Sequence, residues 1–231
     1  MLNLIAIDTS TEACSVAISW QGKLFEKFEL CPQSHSTILL PMIDDLLQEA
    51  GCTLQQLDGL VFGQGPGSFT GVRIGIGVAQ GLAFSADLPV VGVSTLQAMA
   101  QQAFEQCQQP RVIAAIDARM SEIYLSAYQA DVNGIMQPVI GETVIAPDKA
   151  ESYINDAISD AYAVGTGWQT YLELLAPLAK NAVELDIVFP RATAMLTLAT
   201  LQFEKGNAVS AEHAAPVYVR DTVSWKKLPG R

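Results

Sequence analysis

The sequence predicts an α/β protein of two lobes, each a mixed sheet flanked by helices. Three observations carry that expectation. Short apolar runs that read as strands alternate with stretches of helical period. The run Leu4-Ile5-Ala6-Ile7-Asp8 returns as Ile113-Ala114-Ala115-Ile116-Asp117, each time followed by a polar turn and a second strand. Between them stands a Gly-rich stretch from Phe62 to Phe84 that reads as strand end, tight turn and helix. These features place the lobes at residues 1–108 and 109–231, with Gln106 to Pro110 as a Gln-rich linker. A ligand is expected in a cleft between such lobes.

Composition bounds the function. A chain of 231 residues can bury a large core. With 50% hydrophobic and only 16% charged residues it is a folded chain and not a disordered one. The net charge of -11 opposes tight, unaided binding to a phosphate backbone. One local basic patch stands near Arg220, Lys226, Lys227 and Arg231. The start, Met1 to Asp8, has no basic region and no cleavage-like site, so no secretory signal is expected. No apolar run approaches the roughly 18 residues of a membrane span. Cys14, Cys31, Cys52 and Cys107 form no Cys-x-x-Cys pair, as expected of reduced, mostly buried thiols in a cytoplasmic protein.

Leu4 to Ile7 reads as a central strand ending at Asp8, followed by the polar turn Thr9-Ser10-Thr11-Glu12. Cys14 to Trp20 and Lys23 to Leu30 are two more strands joined at Gln21-Gly22. An acid at the end of a first strand, then a hydroxyl-rich turn, is one way actin-like and sugar-kinase-like ATPases hold a nucleotide. The same residues also make an ordinary hairpin in which Asp8 accepts from turn amides. Ile38, Leu39, Met42, Ile43, Leu46 and Leu47 recur every four residues, which predicts a helix with a wide apolar face. Ser34 or Ser36 can cap it, Pro41 interrupts it, and Gly51 ends it. His35 reads as a cap or surface residue rather than a ligand.

Leu60 to Phe62 is a buried strand, and Gly63, Gly65, Pro66 and Gly67 form the turn after it. Ser68 or Thr70 caps a helix from Gly71 to Ala86. Gly71, Gly75, Gly77 and Gly81 each cost that helix about 1 kcal/mol relative to Ala, so close approach of another backbone is expected in return. The turn lacks the Lys of a phosphate-binding loop, and Thr70 replaces the third glycine of a dinucleotide fingerprint. A tight strand-to-helix turn is the simpler reading. Leu88 to Val93 is a short strand, and Ser94-Thr95 caps a helix to about Cys107.

In the second lobe, Ile123 to Ser126 and Val139 to Ile145 read as strands, Pro147 to Ile158 as a helix, and Tyr162 to Val164 as a short strand. Gly165-Thr166-Gly167-Trp168 is a turn before a helix from Gln169 to Leu178. Ala192 to Lys205 is a helix ended by Gly206, Ala214 to Arg220 an extended piece, and Trp225 to Arg231 a frayed one.

Five stretches together resemble the bacterial TsaB (YeaZ) family. They are Ile5 to Thr11, His35 to Pro41, Gly63 to Gly75, Ile116 to Tyr124 and Pro216 to Arg220. The resemblance implies an actin-like ATPase (ASKHA) two-lobe fold with duplicated mixed sheets. It implies a glycoprotease-like pseudoenzyme with no catalytic residue of its own. Such a subunit works with TsaD, which transfers the threonylcarbamoyl group, and with the small ATPase TsaE. Their product is threonylcarbamoyladenosine beside the anticodon of tRNAs that read codons beginning with A. The residues agree with lost chemistry. The catalytic paralogue holds its metal with a His-x-x-x-His pair on a helix, whereas here Leu96 to Gln102 carries no His and only His35 and His213 exist. No metal is expected. No cofactor is expected to be tightly bound, with ATP or ADP at a subunit junction of the complex, and Asp8, Thr9 and Ser10 as a vestigial nucleotide site. The competing reading is an autonomous nucleotide-dependent phosphotransferase or peptidase of the same fold.

Gly71, Gly75, Ala79 and Ala83 lie on one stripe of their helix and are read as the seat of a second helix. The resemblance places the first two helices at the TsaD contact. The expected interface is therefore Leu39, Met42, Ile43 and Leu46 with Gly71, Ile74, Gly75, Val78, Ala79 and Leu82. It serves a heterodimer with TsaD and, without that partner, a homodimer; tRNA is met only through the complex. The blander reading is that the stripe packs on this chain's own sheet or on the helix from Ile38 to Leu47.

Overall fold

The computed structural model describes residues 2–179 and 186–220, without the side chains of residues 156 and 179. Lys226, Lys227 and Trp225 to Arg231 lie outside the described residues, so only Arg220 of the expected basic patch is placed.

The first lobe begins with three strands, β1 (Leu4–Asp8), β2 (Ala13–Trp20) and β3 (Lys23–Leu30). Then come α1 (His35–Ala50), β4 (Gly59–Gly65), α2 (Phe69–Ala86), β5 (Val90–Ser94) and α3 (Thr95–Cys107). The second lobe has β6 (Arg111–Arg119), β7 (Glu122–Ala130), β8 (Met136–Ile145), α4 (Ala150–Ile154), β9 (Tyr162–Val164), α5 (Thr166–Thr170), α6 (Leu172–Leu175) and α7 (Ala192–Glu204). One sheet has the order β3-β2-β1-β4-β5 and the other β8-β7-β6-β9. The echo seen in the sequence is therefore a repeated topology. β1 and β6 each pair antiparallel with the next strand and parallel with the strand on the other side, β4 or β9.

The burial pattern explains which runs became central. All five residues of β1 are buried, as suits a strand covered on both faces. Edge strand β3 carries four charged residues, Lys23, Glu26, Lys27 and Glu29, and is largely open. α1 and α2 cover one face of the first sheet around Ile5, Ile7, Val16 and Leu60. α7 covers the other face around Leu4, Ala6, Val61 and Val91. That helix comes from beyond residue 109, and Ala211 and Ala214 also join the first core. The second lobe in sequence thus returns to pack on the first, because α7 buries six of its residues, among them Met195, Leu196 and Leu198, against that sheet and α3.

The caps follow the sequence with some differences. Ser68 Oγ accepts from Gly71 N at 3.2 Å, and Ser94 Oγ accepts from Gln97 N at 3.2 Å. Gly51 ends α1 at φ 69°. Ser34 occupies the N-cap position of α1, but its side chain makes no capping bond. The helix expected over Pro147 to Ile158 is instead short: α4 stops at Ile154, where Asn155 turns to φ 47°. The helix expected over Gln169 to Leu178 breaks at Tyr171 into α5 and α6. Among the described residues no helix is long and apolar enough to cross a membrane. All four cysteines are free, three buried and Cys107 exposed.

Candidate functional site

β1 ends at Asp8, and the turn after it is buried at Asp8, Thr9, Ser10 and Thr11. The Asp8 carboxylate accepts from Ser10 N at 3.0 Å and from Ser10 Oγ at 2.9 Å. Thr95 Oγ1, at the start of α3, donates to Ser10 Oγ at 3.0 Å. Burial pushes the Asp8 carboxyl up to about 6, with the Ser10 hydrogen bonds opposing that rise.

The Gly-rich segment closes over this turn. Ser68 N donates to Ser10 O at 2.7 Å, and Thr9 Oγ1 donates to Gly71 O at 2.7 Å. A Cβ on Gly63 would collide with the Asp8 carboxylate, one on Gly67 with Ser10 O, and one on Gly71 with Thr9 O. A Cβ on Gly75 would lie 2.6 Å from Thr9 Oγ1. These glycines are needed because the backbone and hydroxyls of residues 8–10 occupy the space a side chain would take. The three residues read as a vestigial nucleotide site are therefore brought together, but they are buried and their hydroxyls bond to the chain itself.

The matching turn of the second lobe is built from Asp117. Thr166 Oγ1 accepts from Asp117 N at 3.0 Å, and Gly165 packs against Ala115 O. Arg119 Nη1 donates to Asp117 at 3.0 Å, while its Nη2 reaches across to Glu12 of the first turn at 2.9 Å. A carboxylate–guanidinium pair thus joins the two turns that would flank a ligand. Farther along the seam, Ser94 Oγ donates to Glu142, which also accepts from Tyr128 OH at 2.8 Å. Burial raises the Glu142 carboxyl, and the two hydrogen bonds oppose it. Among the described residues no three His, Cys, Asp or Glu side chains gather as metal ligands.

The expected partner surface divides in two. Leu39, Met42, Ile43 and Leu46 are buried in the first core, together with Ala79 and Ala83. Gly71 and Gly75 are buried against Thr9. The stripe Gly71-Gly75-Ala79-Ala83 therefore packs on this chain's own turn and sheet, as the blander reading has it. The cause is the packing of α2 on β4 and on the turn after β1. Ile74, Val78 and Leu82 are half-buried at the edge of the same core. Beyond them the outer face of α2 presents Gly77 and Gly81, where an added Cβ would meet nothing within 4 Å. Leu40 and Phe84 are exposed large hydrophobics on the same pair of helices.

The residue pattern hinted at some of what it missed. Four glycines in one helix signalled a close backbone, though not which one. Gly67, Thr95 and Glu12 were read only as turn and cap residues, and nothing in the sequence pointed to their contacts with Ser10 and Arg119. His35, read as a cap or surface residue, is instead buried at the first position of α1, and its Nε2 has no hydrogen-bond partner.

Residues 29–224 match the family model described as TsaD: tRNA N6-adenosine threonylcarbamoyltransferase. The chain is 46% identical over 230 residues to the tRNA threonylcarbamoyladenosine biosynthesis protein TsaB of Escherichia coli, covering all of both chains. It is also 46% identical to the protein of that name from Haemophilus influenzae, over 100% of this chain and 98% of the other. The solved structure of YeaZ from Pseudomonas aeruginosa superposes with a TM-score of 0.86 at 44% identity, over 94% of this chain and 100% of that one. The two-lobe fold is of the actin-like ATPase type.

Proposed function

Since this chain belongs to the TsaB (YeaZ) family, we propose that it acts in tRNA threonylcarbamoyladenosine biosynthesis as a non-catalytic scaffold and activator. Its partners on this reading are TsaD and TsaE, and a second copy when TsaD is absent. The observation that carries the non-catalytic role is the sealed turn at Asp8. In a working nucleotide site the turn's amides and hydroxyls face phosphate. Here Ser10 N and Oγ bond to Asp8, Ser10 O accepts from Ser68 N, and Thr9 Oγ1 bonds to Gly71 O. Phosphate oxygens would have to displace four internal bonds, each worth about 0.5–1.5 kcal/mol net and more where charged. The Glu12–Arg119 pair adds a further closure.

The partner surface on this reading is the outer face of α2 and its neighbour α1. Gly71 and Gly75 are accounted for by Thr9, whereas Gly77 and Gly81 carry the helix penalty with open space beside them. A helix laid along Gly77 and Gly81 could approach closely and cover Ile74, Val78, Leu82, Leu40 and Phe84. With a net charge of -11 the chain contributes no general attraction to tRNA, which the assembled complex must supply.

The test is reconstitution. TsaD and TsaE are assayed for threonylcarbamoyl transfer to tRNA with and without this chain, and the chain is assayed alone. Activity that needs the chain, with none from the chain alone, supports the reading. Robust turnover by the isolated chain would sink it.

A further inference from the structure

The segment from Ala214 to Arg220 starts in one lobe and ends in the other. Ala214 is buried in the first core, and its carbonyl accepts from Gln80 Nε2 at 3.0 Å. Val217 N donates to Gln64 O at 2.9 Å, at the carboxyl end of β4. The Tyr218 ring lies 4.9 Å from the Arg73 guanidinium, whose other neighbour is the Phe69 ring at 3.3 Å. The segment then leaves the first lobe. Arg220 Nη2 donates to Ala118 O at 3.2 Å and to the Glu122 carboxylate, and Nη1 approaches Met120 Sδ at 3.7 Å.

Its target is an unusual turn. Arg119, Met120 and Ser121 have φ of 62°, 57° and 60°, and none is glycine. Each left-handed residue of this kind costs on the order of 1 kcal/mol or more unless its surroundings hold it. Arg220 holds the turn from one side and the Glu12–Arg119 pair from the other. The Arg220 side chain is only 15% exposed, and its Nε is buried without a partner. The rest of the segment is lightly attached, since Ala215, Val217 and Tyr218 are exposed. A segment held by a few polar contacts, with little apolar burial, belongs to the least stable part of a fold.

We propose that residues 214–220 form a releasable strap across the carboxyl ends of the central strands, with Arg220 as the contact that fastens it to the β6–β7 turn and so helps hold the two lobes together. Loss of the Arg220 contact leaves the β6–β7 turn held by the Glu12–Arg119 pair alone and lets the lobes part more easily.

Spin labels at Glu49→Cys on α1 and Glu151→Cys on α4, both exposed and away from the strap, report the distance between lobes in a Cys107→Ser background. In the full chain, Arg220→Ala should lengthen the mean distance by several ångströms and broaden its distribution. Glu122→Ala removes the receiving carboxylate from the other lobe, leaves the strap itself intact, and should act in the same direction; it decides the matter if Arg220→Ala does not fold. A distance distribution like that of the parent in the folded variant overturns the strap.

Discussion

Thr9 and Gly71 fasten the first turn to the second helix from both sides: Thr9 Oγ1 donates to Gly71 O at 2.7 Å, and Thr9 O occupies the space of a Gly71 side chain. Gly71→Ala should therefore destabilise the fold by ~1–3 kcal/mol through overpacking. Gly77→Ala has open space and should instead gain up to about 1 kcal/mol of helix propensity. Urea unfolding of the two variants checks the opposite signs.

Ala79→Arg places a charge at a fully buried position of the first core and should leave the protein unfolded. Gly81→Arg, on the outer face of the same helix, should keep the parental far-UV circular dichroism but fail to co-purify with TsaD. A folded Gly81→Arg chain that still binds TsaD normally would remove α2 from the interface.

Asp8 gives stability a pH dependence. Its carboxyl keeps its proton to about 6 in the folded chain, against 3.8 when exposed. The native state therefore holds more protons between those values, and stability from this group is full below about 4 and lost as pH rises through about 6. The loss is on the order of 2–3 kcal/mol. Asp8→Asn does not titrate, so its stability relative to the parent should climb across that window and stay level above it. Unfolding free energies at several pH values, compared between the two proteins, would show a flat difference if Asp8 were not buried in this way.

The purified chain should carry no stoichiometric transition metal, since only His35 and His213 exist and the described acids do not gather. Elemental analysis finding about one tightly held zinc or iron per chain would contradict this.

Gel shifts at physiological salt should show tRNA bound by the assembled complex and hardly at all by this chain. The net charge of -11 releases no counterions from RNA. Equal shifts with and without the partners would contradict it.

Much of the architecture was legible because local rules set it. The apolar run Leu4–Ile7 with its echo Ile113–Ile116 announced two related sheets, and the observed strand orders repeat. Ser68, Ser94 and Gly51 were readable as caps because capping is a matter of the next few residues. The breaks at Asn155 and Tyr171 were not readable, since each follows from how short helices fit around the second sheet. The packing of α7 on the first sheet was not readable, because its apolar residues suit either core.

What the sequence by itself determined is the two-lobe plan, the family, and a helix with too many glycines to stand alone. What only the tertiary structure decided is which of those glycines look inward. Gly71 and Gly75, and Gly77 and Gly81, are two pairs at the same spacing on the same helix, indistinguishable in one dimension. Thr9, 62 residues from Gly71 in sequence, claims the first pair and leaves the second open. Helical period defines faces, but only the position of a distant backbone assigns each face to the core or to solvent.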